Sequence, residues 1–372
     1  MASLSYLTLK YLLDNGFKYK IMGYNELIEY RLGSKWRYAA DISNLISCVG
    51  TLISYQYIIS ALCLQVLNYY FETPCSGYFK LIQIVIVAVV FQIPLSMLKD
   101  ISHLQYVSII GTITLGLSII VIIIECPFYF IQEYNKNNSN PISLFPPKNS
   151  NIDLRFSWID TFGILFFGFA SHTGIFQPFQ ELNRPGRRRL YKVLNKSFQI
   201  ESILYILLTI AGFLSTFYDT PDVFLKRKNL KGFDDYFIII VRILLVLTMN
   251  SCIAVNFNVL RMSVKSLILG NNPSKKKDFV FIITTYIVTN AITYFVQNAG
   301  SLLSFISGVS LTLIAFVVPI LIEIKSNKEE KKTLKIIFNY IFLLIICIIS
   351  IICIAKSGYD MVTSKITENN CL

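Results

Sequence analysis

Long tracts without charged residues constrain this chain more than any other feature of its sequence. Only 15% of the 372 residues are charged and 54% are hydrophobic, whereas soluble domains carry about 25% charged residues. A helix needs about 20 apolar residues to cross a bilayer, and tracts of that length recur along the chain. The sequence therefore predicts an all-α polytopic membrane protein. The same composition excludes a disordered chain and disfavours a large soluble enzyme.

Nine tracts are long and apolar enough to be predicted as transmembrane helices. The least ambiguous are the runs Leu115–Glu125 and Ile336–Ile354. The tracts together define a transmembrane domain over 39–355, which follows a short apolar segment, 1–13, and a loop, 14–38. The predicted spans are 39–70, 81–98, 105–126, 158–180, 197–217, 237–260, 279–297, 300–324 and 336–355.

Basic residues are distributed unequally between alternate connecting segments. The segments on one side hold 22 Lys and Arg residues, and those on the other side hold 10. Cytoplasmic loops carry the excess of basic residues, so the loop 14–38 and the very basic segment Glu181–Lys196 are predicted to be cytoplasmic. The tail 356–372 is then extracytoplasmic. This topology explains the net charge of +12, so the lipid bilayer is the expected partner and nucleic acid is not.

Two features are predicted on the extracytoplasmic side. Asn137 begins the sequon Asn137-Asn138-Ser139 in a long outer loop, which makes it the expected glycosylation site. Among the eight cysteines, Cys75 and Cys126 would both lie at the outer face, where a disulfide between them is one option. No two cysteines form a CxxC pair, so no metal site is predicted.

The sequence holds only two histidines, His103 and His172, and no HExxH motif. A membrane-embedded enzyme would need clusters of His, Asp or Glu in or near its spans, so no enzymatic activity is expected. Glu201 and Arg242 lie in predicted spans, and a charge buried there needs a partner. The sequence does not identify the partner of Arg242.

Three stretches resemble the amino acid/auxin permease family, on the branch that holds the sodium-coupled neutral amino acid transporters. The first is Tyr24–Gly33, which is similar to the family's cytoplasmic tyrosine-to-LG loop and is followed by a span with Gly50 and Tyr55 that is similar to the third helix. The second is Pro94–Lys99 with Ser108 after it, which is similar to the family's PLS turn between helices four and five.

The third stretch is the most specific. It runs Phe167-Gly-Phe-Ala-Ser-His172 and is followed by Pro178, by Glu181-Leu182 and by the arginine triplet 187–189. This pattern resembles the family's helix-six signature, although Pro178 is displaced by one position and a Ser stands where the family often has Cys. Together the resemblance covers about residues 3–355.

The resemblance implies a LeuT-type inverted-repeat transporter fold, in which two repeats of five helices are followed by one extra helix. In this alignment the segment 1–13 is the cytoplasmic end of helix two, the nine full spans are helices three to eleven, and helix one is lacking. We expect a truncated gene model or a genuine short product. An eleven-helix member with its N-terminus inside has its C-terminus outside, as the distribution of basic residues also predicts.

In such folds the first helix of each repeat is broken near the midplane, where main-chain groups bind the charged ends of the substrate. The tract Gly163–Pro178 holds three glycines and a proline, which suits either a broken substrate helix or a kinked packing helix. The resemblance favours the first. The predicted substrate-binding residues are Gly168, Phe169, Ala170, Ser171, His172, Thr173 and Gly174, with Gly50 and Tyr55 from the third helix.

The coupling ion is Na⁺ or H⁺, and no other cofactor is expected. Asn250 and Ser251 offer side-chain oxygens to Na⁺, but Cys252 and Ala254 stand where the branch often has Thr and Pro. A polar pair bonded to its own backbone is the alternative. His172 is either a proton relay or a structural donor to a neighbouring carbonyl.

The resemblance therefore implies secondary active transport of amino acids, of the small neutral class, by a multi-pass protein. Both the plasma membrane and the vacuolar or lysosomal membrane are compatible with the sequence. The alternative is a non-transporting amino-acid sensor or scaffold on the same fold, or an inactive truncated product.

Overall fold

The computed structural model describes residues 1–71, 77–97, 101–136, 154–176, 186–216, 223–227, 236–265, 267, 274–296 and 298–363. Every regular element in these ranges is helical, which confirms the predicted all-α class. The α-helices are α1 Ala2–Tyr19, α2 Tyr24–Leu32, α3 Ser34–Phe71, α4 Gly77–Val87, α5 Ile93–Ser96, α6 Ile101–Lys136, α7 Leu154–Gly168, α8 Arg187–Thr216, α9 Tyr236–Val264, α10 Lys275–Phe295, α11 Ala299–Ile306, α12 Val318–Glu329 and α13 Thr333–Thr363.

Irregular turns interrupt several of these helices. A π-helical turn, Ala88–Gln92, joins α4 to α5, and two more, Ser307–Leu311 and Leu313–Val317, join α11 to α12. Short 3₁₀ turns form at His172–Gly174 and Phe224–Lys226. Turns of this kind release main-chain groups from the regular ladder and are frequent at functional sites.

Seven helices among the described residues are long and apolar enough to cross a membrane. The stretch from α11 to α12 adds an eighth candidate, bent by 40° where its two halves meet. These eight correspond to eight of the nine predicted spans. The ninth tract, 158–180, does not form one continuous helix, because α7 ends at Gly168. The chain is thus a multi-pass membrane protein.

The chain divides into two compact units. Unit 1 comprises Met1–Gly50, Leu154–Ser202 and Gly300–Thr363. Unit 2 comprises the described residues of Thr51–Asp153 and Ile203–Ala299. The helices α3 and α8 contribute residues to both units.

The first helix is an integral part of unit 1. It extends to Tyr19, beyond the apolar segment 1–13, and its residues Leu9, Leu12 and Leu13 are fully buried. They pack with Leu27 and other apolar residues of α2 in one core cluster. Because the most apolar side of α1 is covered by protein, this segment does not lie on the surface as an interfacial helix would.

Glycines allow close helix crossings within each unit. Helices in a bilayer gain little from burying apolar surface against one another, so small residues bring their backbones together. In unit 1 a Cβ added at Gly163 would lie 2.7 Å from Ser304 Cα, and one at Gly50 would overlap Ile306. In unit 2 a Cβ added at Gly111 would lie 3.0 Å from the Cβ of Ser251.

The 3₁₀ turn Phe224–Lys226 of unit 2 and the residue after it supply hydrogen-bond acceptors to Arg242. Arg242 is 3% exposed, and its guanidinium donates to the main-chain oxygens of Leu225 at 3.1 Å and Arg227 at 3.0 Å. The Arg227 side chain is itself buried and forms an ion pair with buried Glu125. Two carbonyls thus accept from the Arg242 guanidinium and one carboxylate pairs with that of Arg227, whose Nε and Nη1 have no hydrogen-bond partner among the described residues.

Candidate substrate site

The backbone of α7 leaves its regular ladder inside the predicted substrate stretch. The last α-type bond joins Phe169 N–H to Leu165 O at 3.3 Å, after which Ala170 N–H donates to Phe167 O at 3.2 Å. Ala170 and Ser171 have no regular secondary structure, and a 3₁₀ turn begins at His172. The end of α7 at this point is what a broken helix requires of its first half, and it follows Gly168 because glycine imposes little cost on an irregular backbone.

Burial differs sharply between neighbouring residues of the break. Phe169 and His172 are buried, whereas the Ser171 side chain between them is exposed. Thr173 and Gly174 are half-buried. Two side chains therefore anchor the break in unit 1, and Ser171 is exposed between them while its N–H donates to Phe169 O at 3.2 Å.

His172 ties the break to α1. Its Nε2 lies 2.8 Å from Thr8 Oγ1, and the Thr8 hydroxyl lies 3.0 Å from Ser5 O and 3.2 Å from Leu4 O. The Thr8 proton is directed to these carbonyls, so the Thr8 oxygen accepts from the Nε2–H group of His172. His172 Nδ1 is then an acceptor, and it has no hydrogen-bond partner among the described residues. The fully buried Ser5 Oγ likewise has none.

The π-helical stretch between α11 and α12 forms the other wall. The Phe316 ring lies 6.0 Å from the His172 ring and 5.0 Å from that of Phe166. Tyr24 of α2 donates from its hydroxyl to Ile314 O at 2.7 Å, a carbonyl of the same stretch. Three elements that are far apart in sequence thus meet at His172. They are the α7 break, which contains His172, the helix α1 and this π-helical stretch. All three belong to unit 1.

The two residues predicted from the third helix lie in different units. Gly50 belongs to unit 1, where its missing side chain makes room for Ile306. Tyr55 belongs to unit 2 and is half-buried. Their assignment to the substrate site stays a prediction.

The predicted ion-binding pair lies in unit 2 on an unbroken part of α9. Asn250 Nδ2 donates to Val246 O at 2.8 Å, and Ser251 Oγ donates to Leu247 O at 3.0 Å. Nearby, the hydroxyls of Thr114 and Thr248 lie 2.7 Å apart. Asn250 Oδ1 is buried and has no hydrogen-bond partner among the described residues, so it remains available to a cation. No group of three His, Cys, Asp or Glu side chains in the described ranges is arranged to hold a metal ion.

Several predicted features lie outside the described residues. These are the sequon at Asn137, the cysteine Cys75 and the downstream part of the helix-six signature, Pro178 with Glu181-Leu182. Cys126 is described and is half-buried. The glycosylation site and the Cys75–Cys126 disulfide therefore stay predictions.

Sequence reasoning missed the residues that surround His172. Thr8 lies 164 positions away in an apolar helix, and no local pattern identifies it. Phe316 lies in an apolar span that gives no indication of π-helical turns. The sequence marks Tyr24 only as part of the loop that resembles the family, and its bond to Ile314 O supplies a physical reason for a tyrosine there.

Comparisons with known proteins agree with this architecture. The sequence profile of the transmembrane amino acid transporter protein family matches residues 1–363. Sodium-coupled neutral amino acid symporter 2 from Danio rerio is 24% identical over 328 residues, which cover 82% of this chain and 64% of that protein. The chain thus spans about 64% of the length of this relative.

Proposed function

This chain belongs to the transmembrane amino acid transporter family, and from that premise we propose that it carries small neutral amino acids across a membrane by secondary active transport. The observation that carries the proposal is the break in α7 at residues 169–174, held between α1 and the π-helical stretch. We propose the plasma membrane or the vacuolar or lysosomal membrane as its location.

The break suits the charged ends of an amino acid. An irregular backbone at membrane depth is tolerated only where protein buries it or a water-filled cavity solvates it. The N–H groups of Ala170 and Ser171 already donate to Phe167 O and Phe169 O. The groups proposed to bind a carboxylate are therefore the N–H groups of the turn that begins at His172, and main-chain carbonyls around Ser171 can bind an ammonium group. The small residues Ala170 and Gly174 leave room for a substrate beside the main chain.

We propose Na⁺ as the coupling ion, by analogy with the sodium-coupled relative. Asn250 Oδ1 is a buried amide oxygen without a protein donor, and Ser251 Oγ keeps its lone pairs while donating its proton to Leu247 O. Oxygen ligands of this kind suit a hard cation. His172 has the contacts of a structural residue, since it is 1% exposed and donates to Thr8.

A second candidate is a non-transporting sensor or scaffold that binds an amino acid at the same break. One observation favours it: the amide NH₂ of Asn250 and the hydroxyl of Ser251 are already bonded to carbonyls of their own helix. A pair satisfied in this way is typical of a structural helix.

The two candidates differ in flux. Purified protein is reconstituted in liposomes, and uptake of radiolabelled alanine, serine and glutamine is measured under an inward Na⁺ gradient. Parallel samples replace Na⁺ with choline at constant pH or impose only a pH gradient. We expect uptake that requires Na⁺ and is at least about ten-fold above that of empty liposomes.

Uptake driven by the pH gradient alone would show that the coupling ion is H⁺ and not Na⁺. Saturable binding of an amino acid without flux would favour the sensor. Neither flux nor binding, for any amino acid and with verified insertion, would contradict both candidates.

A further inference from the structure

The beginning of α8 carries a basic face. Arg188, Lys192 and Lys196 are spaced four residues apart, so they lie on one side of the helix, and all three side chains are exposed. None of them forms an ion pair within the part of the chain that the structure describes. The neighbouring Arg187 differs, because it is engaged by Asp14 of α1.

The basic face continues into an apolar surface of the same helix. Val193, next to Lys192, is 43% exposed. Ile200, one turn beyond Lys196, is 58% exposed. In the most apolar 18-residue stretch of α8, only 17% of the residues are buried. This is the smallest share among the seven unbroken candidate spans in the described ranges. Apolar side chains exposed to this extent on a membrane-spanning helix face lipid.

We infer that Arg188, Lys192 and Lys196 form a binding surface for the anionic headgroups of phospholipids in the adjoining leaflet. The charges are complementary, and the three residues extend over about 12 Å of the helix axis next to the lipid-facing surface. Long basic side chains place their charged ends at the headgroup level while their stems cover apolar surface. Glu201 is the only acidic residue of α8, and it lies beyond the basic face and is half-buried.

A general excess of basic residues on one side of the membrane would attract anionic lipid without any particular surface. The test therefore compares two triple variants with equal loss of charge. The first is Arg188→Gln/Lys192→Gln/Lys196→Gln. The matched control is Lys20→Gln/Lys35→Gln/Lys331→Gln, which changes three other exposed basic residues of unit 1. A third variant, Arg188→Lys/Lys192→Arg/Lys196→Arg, keeps the charge and checks that the surface tolerates substitution.

The full chain is equilibrated in nanodiscs of phosphatidylcholine with phosphatidylserine, and the lipids that it retains are counted by native mass spectrometry. Each basic residue near an anionic surface contributes about five-fold in affinity. We therefore expect the ratio of retained phosphatidylserine to phosphatidylcholine to be at least about ten-fold lower in the first triple variant than in the unchanged protein. The matched control and the charge-conserving variant should keep that ratio within about two-fold.

Two results would overturn the inference. An equal loss in the matched control would show that only the total charge matters. Displacement of phosphatidylserine by millimolar inorganic phosphate or soluble glycerophosphoserine would show that the surface binds soluble phosphate rather than lipid.

Discussion

The stretch Gly168–Gly174 is predicted to bind a substrate and the pair Asn250–Ser251 a coupling ion, yet their backbones differ. In the first, the helix ends and main-chain groups near Ser171 leave the regular ladder. In the second, the helix is unbroken and each side chain donates to a carbonyl of the preceding turn. An intact helix satisfies its own main chain and most of its small polar side chains, so only a break frees main-chain groups for a ligand.

The break is positioned by a close helix crossing, which a single methyl group would disrupt. Gly163→Ala would place its Cβ 2.7 Å from Ser304 Cα, a main-chain atom that moves only if the helices separate. Overpacking of this kind costs about 1–3 kcal/mol. We expect Gly163→Ala to lower the free energy of unfolding by that amount in an SDS titration, and to reduce transport.

Gly116→Ala is the matched control for that crossing. Gly116 lies within α6, and a Cβ there meets no atom within 4 Å. Alanine is a better helix former than glycine by up to about 1 kcal/mol, so this variant should be neutral or more stable. Equal destabilisation by both variants would contradict a specific crossing at Gly163.

The bond between Thr8 and His172 anchors the break to α1. Thr8→Val keeps the shape of the side chain but removes the hydroxyl that accepts from His172 Nε2. A buried polar group left without a partner costs about 1–3 kcal/mol, so the free energy of unfolding should fall by at least about 1 kcal/mol.

Thr285→Val serves as the control, because Thr285 is half-buried and bonds only Phe281 O of its own helix among the described residues. It should change the free energy of unfolding by about 0.5 kcal/mol or less. If the two threonine variants behave alike, His172 does not depend on Thr8.

At the unbroken helix the expected effect is on ion dependence rather than on folding. Ser251→Ala removes one proposed Na⁺ ligand, and we expect the Na⁺ concentration for half-maximal uptake to rise about ten-fold, equivalent to one modest polar contact of about 1.4 kcal/mol. Ser263→Ala is the control, because Ser263 Oγ donates to Val259 O in the same helix. An unchanged Na⁺ dependence in Ser251→Ala would assign the pair a purely structural role.

The smallest effect is expected at an exposed ion pair outside both regions. Hydrogen bonds from Lys18 and Lys332 lower the pKa of Glu330 from 4.5 to about 2. A lowered folded pKa contributes stability above the ordinary pKa, and that contribution is lost as the pH falls from about 4.5 towards 2. Glu330→Gln should remove this slight slope in the unfolding midpoint, and because the pair is at the surface the change should be close to the limit of measurement.

The sequence predicted the regular features of the fold well. Uncharged tracts of sufficient length revealed eight of the spans, and the glycines at 163, 168 and 174 indicated where α7 would break. It did not reveal the bend between α11 and α12, because Ser307, Ser310 and Thr312 lie in a tract whose composition suits a straight helix. Serine and threonine hydroxyls bond main-chain carbonyls in either geometry.

The contacts that define the site were also beyond local reasoning. His172 meets Thr8 from 164 positions away, and nothing in an apolar helix marks one threonine as a partner. Arg242 donates to two main-chain carbonyls, Leu225 O and Arg227 O. Any residue can supply a main-chain carbonyl, so the sequence alone does not identify such a partner.

The most direct test is to block the break without disturbing its anchors. Ser171→Phe places a large ring on the exposed residue between the buried Phe169 and His172, and Ser197→Phe makes the same change at an exposed position of α8. Reconstituted proteins with equal insertion are compared for uptake of a radiolabelled neutral amino acid. We predict that Ser171→Phe lowers uptake at least about ten-fold, a loss of about 1.4 kcal/mol or more, and that Ser197→Phe leaves it unchanged. Normal uptake by Ser171→Phe would contradict substrate binding at the break.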